Sequence, residues 1–388
     1  MKVLILGCDG YIGWALTNDL LNKGHLVVGV DNGSRRRRVD EMGSNSLIPI
    51  KSILERKNIL RSWFKDHFID WIDITLGDDS PGYIQSVLRN TKPDAIVHLA
   101  EMPSAPWSMM GPQAASITQR ENVIGTLHLL WAMKTECPEA HLIKLGTMGE
   151  YGTPECDIPE GRIPEGCIGW TGDEEEYQPE CPMQGLLFPR TPGSFYHLSK
   201  VHDTYNIEFA CRNWGLTSTD IMQGVVFGNE YNTRFDYDEY FGTAINRFCA
   251  QAIIGHPLTV YGKGNQIRGF LPLKDSLQCL NIVLNNPPKQ GEYRTLNQFE
   301  NIYRINILAD MVCESAQALG LSGNMSHIPN PRLEAEEHYY NPIHQKLFDM
   351  GYVPTTNIQD EITKLIDQLL PFKDRVIKEA ILPRTNWR

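Results

Sequence analysis

Residues 2–13 read Lys2-Val3-Leu4-Ile5-Leu6-Gly7-Cys8-Asp9-Gly10-Tyr11-Ile12-Gly13. A short apolar run ends on three glycines in the spacing G-x-x-G-x-x-G, and an amphipathic segment follows to about Lys23. This order predicts a buried strand, a tight turn and a helix. Glycines at such a turn let backbone approach a pyrophosphate, and the helix N-terminus offers it free N–H groups. A second strand, His25–Val30, ends at Asp31, eighteen residues after Gly13, where an acid meets the adenosine ribose hydroxyls. Asp31 favours NAD. The run Arg35-Arg36-Arg37-Arg38 stands against it as a possible seat for the 2′-phosphate of NADP, or as a solvated loop. The expected first cofactor contacts are Gly7, Asp9, Gly10, Tyr11, Ile12, Gly13, Asp31, Asn32 and Arg35.

Working outward, strand and helix signals alternate. Ser52–His67 reads as a helix and Ile69–Ile74 as a strand, with Asp73 and Ile74 at its end as candidate adenine neighbours. A helix over Gly82–Asn90 precedes an almost wholly apolar strand, Asp94–Ala100, whose tip carries Leu99, Ala100 and then Glu101. A helix over Gln119–Lys134 contains Asn122. The strand His141–Gly146 delivers Thr147, and Leu216–Phe227 reads as one further strand, carrying Gln223. The expected fold class is α/β: a doubly wound parallel Rossmann sheet over residues 1–228, and a smaller substrate-binding α/β region over 229–388. Residues 153–193 form a long loop rich in Pro, Gly and acid, of the length that lids and insertions have.

The chemistry is expected at Ser194-Phe195-Tyr196-His197-Leu198-Ser199-Lys200. Tyr196 and Lys200 are four apart, so on a helix they share a face one turn apart. An ammonium beside a phenol favours the phenolate, which makes the tyrosine a base. That pair alone arises often by chance. Downstream of the glycine turn and of Thr147 it becomes specific.

The whole chain, 388 residues with a net charge of −11, argues against a nucleic-acid surface. No apolar run approaches membrane-spanning length. The start of the chain runs directly into the glycine turn, without a leader-like segment, which suggests the cytoplasm. Nine scattered cysteines without a Cys-x-x-Cys read as free thiols in a reducing compartment. Cys156, Cys167 and Cys181 share one loop, but their wide spacing and lack of a neighbouring histidine argue against a metal site.

The chain resembles the extended short-chain dehydrogenase/reductase superfamily of nucleotide-sugar epimerases and dehydratases. Within it, the chain is similar to the UDP-sulfoquinovose synthase family. The strings that carry the resemblance are Lys144–Pro154, Ser194–Asp203, Gln223–Val226, Phe241–Cys249, Gly255–Gly264 and Pro329–Asn341. The resemblance implies NAD as a regenerated cofactor, UDP-glucose and sulfite as substrates, sulfite itself or a sulfite-delivering protein as a partner, and a homodimer. It implies Tyr196 as the base at the sugar 4-hydroxyl, Lys200 as its ammonium partner and Thr147 as the group that orients the hydroxyl. Thr147, Met148, Gly149, Gln223, Thr243, Arg247, Thr259, Tyr261, Gln266, Arg268, Arg332 and Glu334 would hold the nucleotide sugar. Ordinary 4,6-dehydratases carry an Asp-Glu pair after the threonine, and here Met148 and Gly149 stand there. The base for elimination across C5–C6 must come from elsewhere, with His197 the first candidate and Glu101 the second.

Two other functions compete. Met102-Pro103 stands where the sulfoquinovose family has Gln-Arg, which favours a plain NAD-dependent epimerase or dehydratase that adds no sulfite. A non-catalytic NAD-binding sensor is the third, and retention of both Tyr196 and Lys200 speaks against it.

Overall fold

The computed structural model describes residues 1–78, 80–163, 167–168, 177–178, 187–332, 334–385 and 387. Strands β1 (Lys2–Leu6), β2 (Leu26–Val30), β3 (Phe68–Ile72), β4 (Ala95–His98) and β5 (His141–Thr147) alternate with helices. The two-residue strands β6 (Cys167–Ile168) and β7 (Tyr177–Gln178) pair with each other in the long loop. Then come β8 (Thr217–Gln223), β9 (Val225–Phe227), β10 (Leu258–Tyr261), β11 (Ile267–Pro272), β12 (Tyr293–Gln298), β13 (Asn301–Arg304) and β14 (Met325–Ile328).

The main sheet runs β3-β2-β1-β4-β5-β8-β12, with every neighbour parallel. The central strands β1, β2 and β4 are almost wholly apolar because both faces are covered, while β5, β8 and β12 also carry polar and charged side chains. Val3 and Ile5 pack with Leu16, Leu20 and Leu280 on one side, and Leu4 and Leu6 with Leu88 and Leu129 on the other. Each such side chain contributes about 1.5–3 kcal/mol by leaving water. The strand order reverses direction between β1 and β4, and at that switch point the carboxyl ends of the strands open a crevice.

The stretch Leu216–Phe227, expected as one strand, is two. It breaks at Gly224, where a Cβ would sit 2.7 Å from the Gly269 carbonyl oxygen. This close approach lets the chain leave the main sheet at Gln223 and enter a second sheet, β13-β11-β9. The chain then returns: the Leu273–Asn285 helix packs beneath β1 and β5, and β12 closes the edge of the main sheet. The second lobe has its own core around Phe248, Val312 and Ile362. The helix expected over Gln119–Lys134 is longer, Pro112–Glu136, with a π-turn at Arg120–Ile124. Among the described residues no helix is long and apolar enough to cross a membrane.

Candidate active site

A cavity of about 370 Å³ lies at the switch point, between the β1 turn, the ends of β3, β4 and β5, and the second lobe. Its floor is the glycine turn. Gly7 has φ +88°, and a Cβ on it would meet the Leu99 carbonyl carbon at 2.7 Å. A Cβ on Gly13 would stand 1.9 Å from the Gly7 oxygen. Gly10, the residue before the Tyr11–Asn22 helix, brings no side-chain cap, so the first-turn N–H groups face the cavity uncapped. An anion-accepting cradle too narrow for a Cβ fits the pyrophosphate of a dinucleotide.

Of the expected cofactor contacts, Gly7, Gly10, Tyr11, Ile12, Gly13, Asp31, Asn32, Arg35, Ile74, Leu99, Ala100, Tyr196, Lys200 and Gln223 line this cavity. Asp9, Asp73 and Asn122 do not. The Asp9 carboxylate is claimed by Arg36 and Arg56 at 2.5 and 2.7 Å, and it is the Asp9 N–H that reaches the site, donating to Asp31 at 2.8 Å. Asp73 is exposed at the end of β3, and Thr75 lines the wall instead, with Asn32 Nδ2 donating to its hydroxyl at 2.6 Å. Asn122 is buried beneath the loop after β4, where its side chain accepts the Met102 N–H and donates to Ser199. Three of the four arginines of the run are paired with carboxylates, while Arg37 is exposed and donates to the Asn32 carbonyl at 2.7 Å. Arg35 pairs with Asp236 and stacks on Phe241, Arg36 holds Asp9, and Arg38 pairs with Glu121. Asp31 lines the ribose end of the cavity and Arg35, the only arginine of the run that lines it, is neutralised by Asp236, which agrees with NAD.

The Phe195–Trp214 helix begins at Ser194, whose Oγ accepts the His197 N–H at 3.2 Å. Its first turns aim Tyr196 and Lys200 into the cavity beside the tip of β5. Thr147 stands at the tip of β5, where its hydroxyl accepts the Gly149 N–H at 3.1 Å and helps draw the Tyr196 phenol down. Burial pushes that phenol up to about 12, against the pull of Lys144, the Thr147 hydroxyl and Arg35. Lys200 Nζ lies 5.8 Å from the tyrosine ring and donates to the Leu145 carbonyl at 2.6 Å. Burial draws its ammonium down to about 8. The Glu101 carboxylate lines the cavity, is ion-paired with Lys200 and stands 3.6 Å from His98.

His197 packs flush against Gly149, where a Cβ would be 2.4 Å from its Nε2. Its Nδ1 contacts the Ser194 hydroxyl at 3.0 Å, and burial with Arg268 and Arg332 nearby holds the imidazole neutral, near 3. The Gly149 position, acidic in ordinary dehydratases, is thus the space that admits His197. Met148 is buried with Tyr151 and Phe299 and offers no proton chemistry.

Thr243 and Gln223 line the cavity, and Thr243 leads into the Ala244–Ile253 helix as its N-cap. The other expected substrate residues form one cluster in the second lobe. Arg247 donates to the Thr259 carbonyl at 3.1 Å and to the Tyr261 hydroxyl, and Gln266 donates to the Tyr261 carbonyl at 3.4 Å. Arg332 lies over the Tyr261 ring at 5.8 Å, and Arg268 pairs with Glu334 at 2.7 Å. Sequence reasoning missed Thr75, Phe241, Glu121, Gly146 and Gly224 as cavity residues. The strand-end logic applied to Asp73 reaches Thr75 two residues on; Phe241 and Glu121 carry no local signal.

A parallel sheet with a glycine cradle and a Thr-Tyr-Lys constellation at its switch point defines a class, and residues 3–297 match the NAD dependent epimerase/dehydratase family. The chain belongs to that family. Within it the chain belongs with the UDP-sulfoquinovose synthases. It is 43% identical to UDP-sulfoquinovose synthase of Sulfolobus acidocaldarius, over 100% of this chain and 98% of that protein. It is also 43% identical to the chloroplastic UDP-sulfoquinovose synthase of Spinacia oleracea, over 100% of this chain and 79% of that one. A solved UDP-glucuronic acid 4-epimerase of Bacillus cereus, in complex with UDP-glucuronic acid and NAD, shares the fold: TM-score 0.68, 19% identity, 95% of this chain and 99% of that one covered.

Proposed function

We propose that this protein converts UDP-glucose and sulfite to UDP-sulfoquinovose with NAD as a recycled cofactor. The observation that carries the reading is the site itself. Tyr196 and Lys200 line the cavity that holds the glycine cradle, Thr147 follows the cavity residue Gly146, and a glycine in place of the dehydratase acid admits His197 beside Tyr196. The plain epimerase or dehydratase is not favoured, given full-length identity to the sulfoquinovose synthases.

Gly7, Gly10 and Gly13 would hold the pyrophosphate, and Asp31 the adenosine ribose. Bound oxidised NAD supplies a hydride acceptor for C4 and a positive ring that helps draw the Tyr196 phenol down. Thr147 orients the sugar 4-hydroxyl and Tyr196 takes its proton. The resulting 4-ketone acidifies the C5 proton, so water leaves across C5–C6 and sulfite adds at C6 with a proton returned to C5. The hydride would then return to C4, where Tyr196 gives its proton back to the oxygen, restoring the 4-hydroxyl and oxidised NAD. His197, beside Tyr196 and Gly149, is our first candidate to handle the C5 proton or the departing hydroxyl, and Glu101 the second. Arg247, Tyr261, Arg268 and Arg332 would grip the nucleotide, with Gln223 and Thr243 at the sugar. Sulfite arrives free or from a delivering protein. Free thiols at all seven described cysteine side chains suit a reducing compartment such as the cytoplasm.

The test is solvent labelling. In deuterium oxide with UDP-glucose and no sulfite, the wild type is expected to wash deuterium into C5 and return UDP-glucose. A 4-epimerase would leave C5 unlabelled, and a 4,6-dehydratase would release a 6-deoxy sugar. His197→Ala is expected to reduce C5 exchange by about 10²-fold or more while hydride transfer continues. Exchange at the wild-type rate would remove His197 from the elimination.

We place a homodimer contact on the outer faces of the Gly125–Glu136 and Phe195–Trp214 helices. Trp131, Phe195, Tyr205 and Phe209 are 45–53% exposed there, an apolar load unusual for a free surface. Phe209→Glu is expected to weaken the dimer about tenfold or more in sedimentation velocity. An unchanged association constant would move the contact elsewhere.

A further inference from the structure

A fully buried charge network lies under the tip of β5 and the helix that carries Tyr196. Lys144, three residues before Thr147, is 0% exposed. Its ammonium stands 3.8 Å from Glu150 Oε1 and 3.9 Å from Asp220 Oδ1, and it donates to the Lys200 carbonyl oxygen at 3.3 Å. Glu150 is the hub. Its Oε1 accepts the Thr147 N–H at 3.4 Å, and its Oε2 accepts from Arg190 Nε at 3.1 Å. The Thr204 hydroxyl, on the Tyr196 helix, lies 3.1 Å from the same Oε2 and 2.6 Å from Asp220. Tyr293 on β12 donates to Asp220 from the far side at 2.8 Å. One carboxylate therefore ties the strand tip that carries Thr147 to the helix that carries the tyrosine and lysine.

Buried ion pairs contribute little net stability, because desolvation offsets their attraction. A network of this size under a reactive centre calls for another role. In the low-dielectric interior a fixed charge acts strongly on a nearby titrating group. We propose that Lys144 and Glu150 are positioning residues that act on Tyr196 with opposite signs. Lys144 favours the phenolate, while Glu150 anchors Lys144 and Thr147 and limits that pull. The inference rests on Tyr196 being the base, as proposed above.

The surroundings agree. Lys144 is the largest charge drawing the Tyr196 phenol down, and Glu150 the largest pushing it up. Asp220, Glu150 and Asp203 outweigh burial and keep Lys144 charged. Asp203, on the Tyr196 helix, also faces Lys200 and the Thr126 hydroxyl. On the cavity side Arg35 adds a smaller pull, and Glu101 with His98 balances Lys200.

Removing the Lys144 charge makes the phenolate harder to form, so the rising limb of the pH profile moves to higher pH. Removing the Glu150 charge, which is in place above about pH 7 because burial raises that carboxyl, does the reverse. The experiment compares wild type, Lys144→Met and Glu150→Gln in single-turnover reduction of bound NAD by UDP-glucose across pH. Expected are displacements of the limb by about one pH unit, upward for Lys144→Met and downward for Glu150→Gln. A second arm needs no turnover: NMR titration of Cζ-labelled tyrosine in substrate-free protein, the Tyr196 signal being the one lost in Tyr196→Phe. There the Glu150→Gln phenol is expected to titrate below that of the wild type. Slower variants with unmoved limbs, or shifts of one sign, would make the network structural and overturn the inference. Should Lys144→Met not fold, Glu150→Gln, which still accepts the Thr147 N–H, decides by its sign. A wild type that never reduces its NAD would sink the functional reading instead, and the NMR arm would still judge the charges.

Discussion

Tyr196→Phe is expected to give a folded, cofactor-loaded protein in which UDP-glucose reduces bound NAD about 10³-fold more slowly than in the wild type. The phenyl ring keeps the ring contacts of the tyrosine, with His197 at 5.1 Å among them, and only the hydroxyl disappears. Without it no group at that place can take the proton of the 4-hydroxyl. Lys200 is committed to the Leu145 carbonyl and to Glu101. Stopped-flow absorbance of the reduced cofactor reads the rate directly. Cofactor content and thermal melting are expected to stay at wild-type values. A rate within tenfold of the wild type would remove Tyr196 from the role of base.

Gly13→Ala is expected to strip the protein of its cofactor. The added Cβ would sit 1.9 Å from the Gly7 oxygen and 2.8 Å from the Gly7 carbonyl carbon, both backbone atoms that cannot rotate away. Relief requires the Tyr11–Asn22 helix to move off the β1 turn, which widens the pyrophosphate cradle and disturbs the contacts of Leu16 and Leu20 with the sheet. Overpacking of this kind costs about 1–3 kcal/mol. Purified variant is expected to carry less than about a tenth of the wild-type NAD and to melt several degrees lower. Full cofactor retention would show that this turn does not hold the pyrophosphate.

Much of the site was legible because its signals are local. The β1 glycines, Asp31, Thr147 at a strand tip and the Tyr196/Lys200 spacing are each fixed by a few adjacent residues, and all but Thr147, which follows the cavity residue Gly146, line one cavity. What escaped depends on partners far away in the chain. Asp9 looked like a cofactor contact because it lies in the turn, but Arg56 reaches it from another helix. The pairing of Glu101 with Lys200 was equally hidden, since the two lie on separate elements. Lys144, Glu150 and Asp220 read as ordinary polar residues, since only the packing of β5, β8 and the Tyr196 helix brings their charges together. The break at Gly224 was invisible for the same reason: it is imposed by Gly269, on a strand not yet formed when the local pattern is read.

The most direct test of the central claim is mass spectrometry of UDP-glucose incubated with the purified protein and NAD, with and without sulfite. The expected result is a sulfonated UDP-sugar that forms only when sulfite is present. A 6-deoxy, 4-keto or epimerised product that ignores sulfite would contradict the account and assign the site to a dehydratase or epimerase instead.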